Sequence, residues 1–107
     1  ARPCTILVPV YNGANQVRRC LRSLLLHADP RHGVVIADDC STDLDLSEEL
    51  SEWSARHAHV RYIRRANNLG YLDNVNALLE ETEGDVLLLN SDTEIGPQCV
   101  ERLQRAA

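Results

Sequence analysis

Four short apolar runs, each closed by a polar turn and separated by a helix-length amphipathic segment, predict an α/β fold: a parallel sheet of about four strands flanked by helices on both faces, Rossmann-like in plan. Strands that are apolar at nearly every residue belong inside such a sheet, because helices cover them from both sides. Length agrees with this, since 107 residues with 44% hydrophobic and 25% charged side chains suit one domain around one core. Right-handed crossovers then favour the doubly wound strand order 3-2-1-4.

Thr5-Ile6-Leu7-Val8 is the first strand, and Pro9, which cannot donate to a ladder, marks its end. After the turn Asn12-Gly13, residues Ala14 to about His27 place Val17, Leu21, Leu24 and Leu25 on one helical face and Arg18, Arg19 and Arg22 on the other. Asp29 to Gly33 is a turn cluster, followed by the strand Val34-Val35-Ile36-Ala37, which stops at Asp38-Asp39. Cys40-Ser41-Thr42-Asp43 supplies N-cap candidates for a helix with Leu46, Leu50 and Trp53 on one face. The third strand, Val60-Arg61-Tyr62-Ile63, is less apolar, which places it nearer an edge. Beyond the loop Asn67-Asn68-Leu69-Gly70, a third helix is striped by Leu72, Val75, Leu78 and Leu79 up to Glu83-Gly84. Asp85-Val86-Leu87-Leu88-Leu89 is a fourth strand running into Asn90-Ser91-Asp92, and Gly96-Pro97 opens a last helix with proline at its favoured first position.

All eleven cationic side chains are arginine, against sixteen Asp and Glu, for a formal charge of -5. This balance excludes nucleic acid as the main partner, because phosphate-backbone binding needs clustered cations. Without lysine there is also no P-loop grip on a phosphate. Cys4, Cys20, Cys40 and Cys99 form no C-x-x-C pair, so they read as free thiols, three of them in or beside apolar segments, rather than as a zinc or redox motif. No apolar run approaches the ~20 residues of a membrane span and no signal peptide opens the chain, so the expected location is cytoplasmic, with membrane association only through segments not present. The chain contains no methionine, initiator included, which reads as a processed or excised piece of something longer.

In a parallel sheet the ligand site lies outside the carboxyl ends of the strands. The four loops at that edge bring Tyr11, Asp38, Asp39, Asn68 and Asp92 toward one cleft. Each also has a plainer role: Tyr11-Asn12-Gly13 and Asn-Leu-Gly as turns, Ser41-Thr42-Asp43 as a helix cap. Asp38-Asp39 stands apart, since adjacent carboxylates repel each other unless something satisfies them. Backbone amides would satisfy one of them.

Taken in order, Ile6-Leu7-Val8-Pro9-Val10-Tyr11-Asn12, Cys20-Leu21-Arg22-Ser23-Leu24, Val35 to Asp43, Asn67-Asn68-Leu69-Gly70 with Asn76, and Gly84 to Asp92 resemble the nucleotide-binding half of a family 2 glycosyltransferase of the GT-A fold. Leu89 to Glu94 with Pro97 is similar to the branch that transfers rhamnose and related sugars. The resemblance implies an enzyme of polysaccharide biosynthesis that binds a UDP-, dTDP- or GDP-sugar and hands the sugar to a saccharide, lipid or protein acceptor. It implies a nucleotide-sugar site drawn from Pro9, Tyr11, Asn12, Asp38, Asp39, Asn68, Gly70, Asn76, Asn90 and Ser91, with Asp39 the best match for the carboxylate that reads a ring NH of the base. It further implies that Asn90 and Asp92 stand for the D-x-D element, Asp92 ligating Mg²⁺ or Mn²⁺. Such a cation is needed where a diphosphate enters among aspartates, and it suits oxygen ligands.

Two positions depart from the family pattern. Asn90 replaces the first aspartate of D-x-D, which leaves a hydrogen-bonding group without charge, and Val75 stands where many relatives carry arginine. Relatives also continue into segments that bind the acceptor and supply a catalytic base. Glu94, the only carboxylate shortly after Asp92, lies too near the metal motif for that role. Residues 1–107 therefore read as one donor-binding domain, a fragment of a longer transferase. The other readings are a non-catalytic interaction module with a transferase-like fold and a receiver-type phosphoacceptor domain. The latter expects an acidic pair after the first strand and a late lysine.

Overall fold

The computed structural model describes residues 2–106, and the element order is β1 (Thr5–Val10), α1 (Ala14–His27), β2 (Gly33–Asp38), α2 (Leu44–Arg56), β3 (Val60–Arg64), α3 (Tyr71–Glu81), β4 (Val86–Leu88) and α4 (Cys99–Ala106). The strands form one parallel sheet in the order β3-β2-β1-β4. This is the doubly wound order expected from the sequence, with β3 at an edge.

Alternation along the strands divides the core in two. Ile6, Val8 and Val10 of β1 and Val34 and Ile36 of β2 pack with Val17, Cys20, Leu21 and Leu24 of α1, Leu46 and Leu50 of α2, and Val100 of α4. Leu7, Val35 and Ala37 point the other way and meet Leu78 of α3. Helices thus lie on both faces, three against one.

Four local expectations are corrected. Pro9 lies inside β1, which continues to Val10 and pairs Pro9 with Ala37 and Val10 with Asp38. The ladder explains the tolerance. The Thr5 N–H donates to Asp85 O and Leu7 O accepts from the Leu89 N–H, so odd residues of β1 turn their backbone groups toward β4. The β4 pairing stops at Leu7, so the paired ladder does not call on an N–H from Pro9.

Pro97 does not open the last helix. It sits in a turn closed by the Cys99 N–H on Gly96 O, and Gln98 is left-handed at φ 60°, which breaks continuity with the helix starting at Cys99. In α3, Leu72 and Leu79 are exposed, while Asn74, Val75 and Leu78 are buried. Only one helix contacts that narrow face of the sheet, and the 74/78 spacing is the stripe that reaches it. In α1, Leu25 is exposed and Cys20 and Ser23 are buried beside Leu21 and Leu24.

The four thiols are free, with Cys4 and Cys20 buried and Cys40 and Cys99 partly so. No helix among the described residues is long and apolar enough to cross a membrane.

Leu78, fully buried, is the helical anchor of the smaller core. Leu78→Ala is expected to cost about 2–5 kcal/mol in urea denaturation. Leu79→Ala, one residue away and exposed, should stay within about 0.5 kcal/mol of the unsubstituted protein.

Candidate functional site

A cleft of about 720 Å³ opens at the carboxyl ends of the strands. Of the residues singled out in the sequence, Pro9, Tyr11, Asn12, Asp39, Asn68, Gly70, Asn90, Ser91 and Asp92 line it. Asp38 and Asn76 do not.

Asp39 organises the centre. Its N–H donates to Val10 O at 2.8 Å, its Oδ1 accepts from the Leu69 N–H at 2.8 Å, and its Oδ2 accepts from the Gly70 N–H at 2.9 Å. Asn68 Nδ2 adds a bond to Asp39 O at 3.1 Å. One buried residue thus ties the ends of β1 and β2 to the β3–α3 loop. Gly70 at φ 88° permits the turn that presents two successive amides to one carboxylate.

Asp38 serves a different structure. Strand alternation turns it to the α2 side, where it is fully buried and accepts from the Ser41 N–H at 2.9 Å and from the Ser47 and Tyr62 hydroxyls, both at 2.6 Å. Arg64 stands 3.4 Å away and also donates to Ser47 Oγ at 2.7 Å. Burial alone pushes the Asp38 carboxyl up, but the bonds from Ser41, Ser47 and Tyr62 outweigh it and hold the group below the usual carboxylate range. The position expected to neighbour a ligand is instead a buried brace. Asn76 is exposed on α3, away from the cleft.

Asn12 joins the first two loops. Left-handed at φ 52°, it donates from its N–H to Ser41 Oγ and from Nδ2 to Thr42 Oγ1, while its Oδ1 accepts from the Asp43 N–H. Asp43 in turn caps α2 by accepting from the Leu46 N–H.

The β4–α4 loop is held from below by α1. Ser23 Oγ accepts from the Ile95 N–H at 3.0 Å, and Arg19 pairs with Glu94 at 3.2 Å. Burial, reinforced by Asp92 and Glu94, pushes the Cys20 thiol up to about 11, so it remains a donor to Asn90 O.

Gly13, Gln16, Tyr71 and Asn74 also line the cleft, although the sequence did not single them out. Asn74 is buried, donates from Nδ2 to Ala37 O at 3.1 Å and accepts from Arg65 Nε at 3.0 Å. Its signal was a polar residue four before Leu78, on the inward stripe. Gly13 and Gly70 cap α1 and α3 without a side-chain acceptor, so the first amides of both helices are left for water or a ligand beside the cleft.

The charged side chains lining the cleft are Asp39 and Asp92. No group of three or more His, Cys, Asp or Glu among the described residues is placed to cage a metal. Asp92 is exposed, and among the described residues its carboxylate enters no ion pair. One free carboxylate fits a hard cation that takes its remaining oxygen ligands from substrate phosphates and water.

Fold and cleft together define a Rossmann-like domain of the GT-A kind. The chain belongs to glycosyl transferase family 2, which matches residues 5–107. It is similar to Glycosyltransferase GlyA of Streptococcus pneumoniae, 32% identical over 102 residues that make up 94% of this chain and 14% of that protein. Similarity extends to the poly(ribitol-phosphate) beta-glucosyltransferase of Bacillus spizizenii, 29% identical over 92% of this chain and 16% of that protein. Among solved structures, residues 1–349 of S. aureus TarS in complex with UDP-GlcNAc superpose with a TM-score of 0.80 at 27% identity, covering 97% of this chain and 30% of that one. The chain spans between 14% and 31% of the length of the curated relatives it matches.

Asp38 carries a pH signature. A carboxyl held below its ordinary value stabilises the fold above that value, about 3.9, and the contribution is lost as pH falls through the folded value. Tyr62→Phe removes one donor and is expected to cost about 1.5–3 kcal/mol at neutral pH. In denaturant titrations the deficit should narrow as pH falls from about 5 toward about 2. A deficit independent of pH would contradict this role for Asp38.

Proposed function

We propose that residues 1–107 are the donor-binding unit of a longer inverting glycosyltransferase. The unit holds a nucleoside diphosphate sugar with Mg²⁺ or Mn²⁺ and presents it to a saccharide, lipid or protein acceptor. Supporting this are the family membership, the complexes of structural neighbours with UDP-GlcNAc, UDP and GDP-mannose, and the Mn²⁺ bound in two of the neighbours.

The single observation that carries the reading is Asp39. A carboxylate has about four acceptor sites, and the Leu69 and Gly70 amides occupy one on each oxygen. The remaining capacity, at the cleft wall, suits a base with a ring N–H. Uracil, thymine and guanine have one, whereas neutral adenine and cytosine do not. Tyr11, half exposed at the mouth, offers a ring face on which a base can stack.

Asp92, with Asn90 and Ser91 beside it, would hold the cation against the diphosphate. When bound, Mg²⁺ or Mn²⁺ neutralises negative charge on the departing diphosphate as a Lewis acid. The chain's own contribution is to orient. Asp39 reads the base edge, Asn90 meets an oxygen of the ligand, and the uncapped amides of α1 and α3 offer donors to anionic oxygen. Glu94 is turned to Arg19, which argues against it as the base that deprotonates the acceptor.

Calorimetry tests the reading directly. UDP, dTDP or GDP should bind in the presence of Mn²⁺ and more tightly than ADP, and Asp92→Ala should weaken the Mn²⁺-supported binding by about tenfold or more, a loss seen even for groups one step removed from a metal. Folded protein that binds none of the three, or binding unaffected by Asp92→Ala, would overturn it.

A further inference from the structure

Asn90 stands where the family pattern has a carboxylate, and its carboxamide oxygen has a partner. The Tyr71 hydroxyl donates to Asn90 Oδ1 at 2.7 Å, from the first residue of α3 to the residue that follows the fourth strand's apolar run. Both side chains are exposed at the cleft and both line it. The Asn90 carbonyl oxygen accepts from the Cys20 thiol at 3.9 Å.

We propose that Tyr71 is a positioning residue: by engaging Oδ1 it turns the Asn90 amino group into the cleft, making the position before Asp92 a dedicated hydrogen-bond donor for an acceptor oxygen of the ligand. This rests on the reading of the cleft as a nucleotide-sugar site and deepens it. An asparagine has one acceptor end and one donor end, so occupying the acceptor end decides which is offered. A carboxylate in that place would offer only acceptors and would compete with Asp92 for the cation. With Asn90, the two functions separate: Asp92 supplies charge and Asn90 supplies an N–H.

The oxygen it meets is a ribose hydroxyl or a diphosphate oxygen, which share the ability to accept. Tyr71→Phe removes the hydroxyl and keeps the ring, and the exposure of Tyr71 keeps the change away from the core.

Two measurements decide the matter. In ¹H–¹⁵N spectra of the ligand-free chain, the Asn90 side-chain NH₂ pair, identified by its loss in Asn90→Asp, should move and sharpen toward free-amide values in Tyr71→Phe. An unchanged pair overturns the proposal whether or not any nucleotide binds. In titrations with UDP and with uridine, Tyr71→Phe should weaken UDP binding by about threefold to tenfold, equally with and without Mn²⁺. A matching loss with uridine assigns the ribose, and a loss confined to UDP assigns the diphosphate. Wild-type-like UDP affinity, or a loss seen only with Mn²⁺, overturns the proposal. Failure of the unsubstituted chain to bind any nucleotide counts against the donor-site reading, and the spectra then judge the Tyr71–Asn90 contact separately.

Discussion

The carboxylate of Asp39 ties the β3–α3 loop to the ends of β1 and β2. Strands of a parallel sheet end at the same edge, but their following loops diverge toward helices on opposite faces, so the cleft between them has no core of its own. Asp39 closes it by accepting from Leu69 and Gly70 while its own N–H reaches Val10. Hydrogen bonds to a charged acceptor are the stronger kind, and here they are shielded by burial. The turn into α3 at Gly70 follows from that side chain, and Asn68 adds a bond to the backbone oxygen of the same residue.

Its neighbour shows why the adjacent pair is tolerated. Successive residues at a strand end face opposite ways, so Asp38 and Asp39 are separated by the sheet itself. Asp38 gathers Ser41, Ser47, Tyr62 and Arg64 into a polar brace beneath the α2 side, whereas Asp39 works with backbone amides on the cleft side. Each carboxylate is met by the protein's own donors, and the buried brace ties Ser41 and Ser47 together across the β2–α2 loop. Asn12 then fastens the β1–α1 loop to that loop through Ser41, Thr42 and Asp43. Rigidity passes from the brace to the mouth of the cleft.

Much of this was legible in the residues. β1 and β2 announced themselves because both of their faces are buried, and α1 did so because its apolar and arginine faces are cleanly segregated. Tyr11, Asp39, Asn68 and Asp92 followed from the loops that a parallel sheet must bring to one edge, and Pro9, Asn12, Gly70, Asn90 and Ser91 from the family resemblance. What could not be read was direction. Nothing in the string Asp38-Asp39 says which carboxylate turns to α2, and nothing in Asn74-Val75-Asn76 says that the first asparagine faces Ala37 O while the second faces solvent. Pro9 misled for a related reason. Its missing N–H matters only on the side where a neighbouring strand asks for it, and β4 has already ended there.

Charge placement supplies the last step. No arginine among the described residues lines the cleft, and four are committed to ion pairs: Arg18 to Glu49, Arg19 to Glu94, Arg64 to Asp38 and Arg65 to Glu81. The cleft is left with two carboxylates, neutral amides, hydroxyls and uncapped helix amides. A dianionic or trianionic ligand entering such a space meets donors but no side-chain cation. On the donor-site reading, the compensating charge must arrive with the ligand as a metal ion, and the exposed Asp92 is placed to receive it. The substitution of Asn90 is consistent with that economy of charge. A second carboxylate at the lip would raise the repulsion faced by a metal-free diphosphate, and an amide whose acceptor end is already occupied by Tyr71 lowers it while keeping a hydrogen bond available.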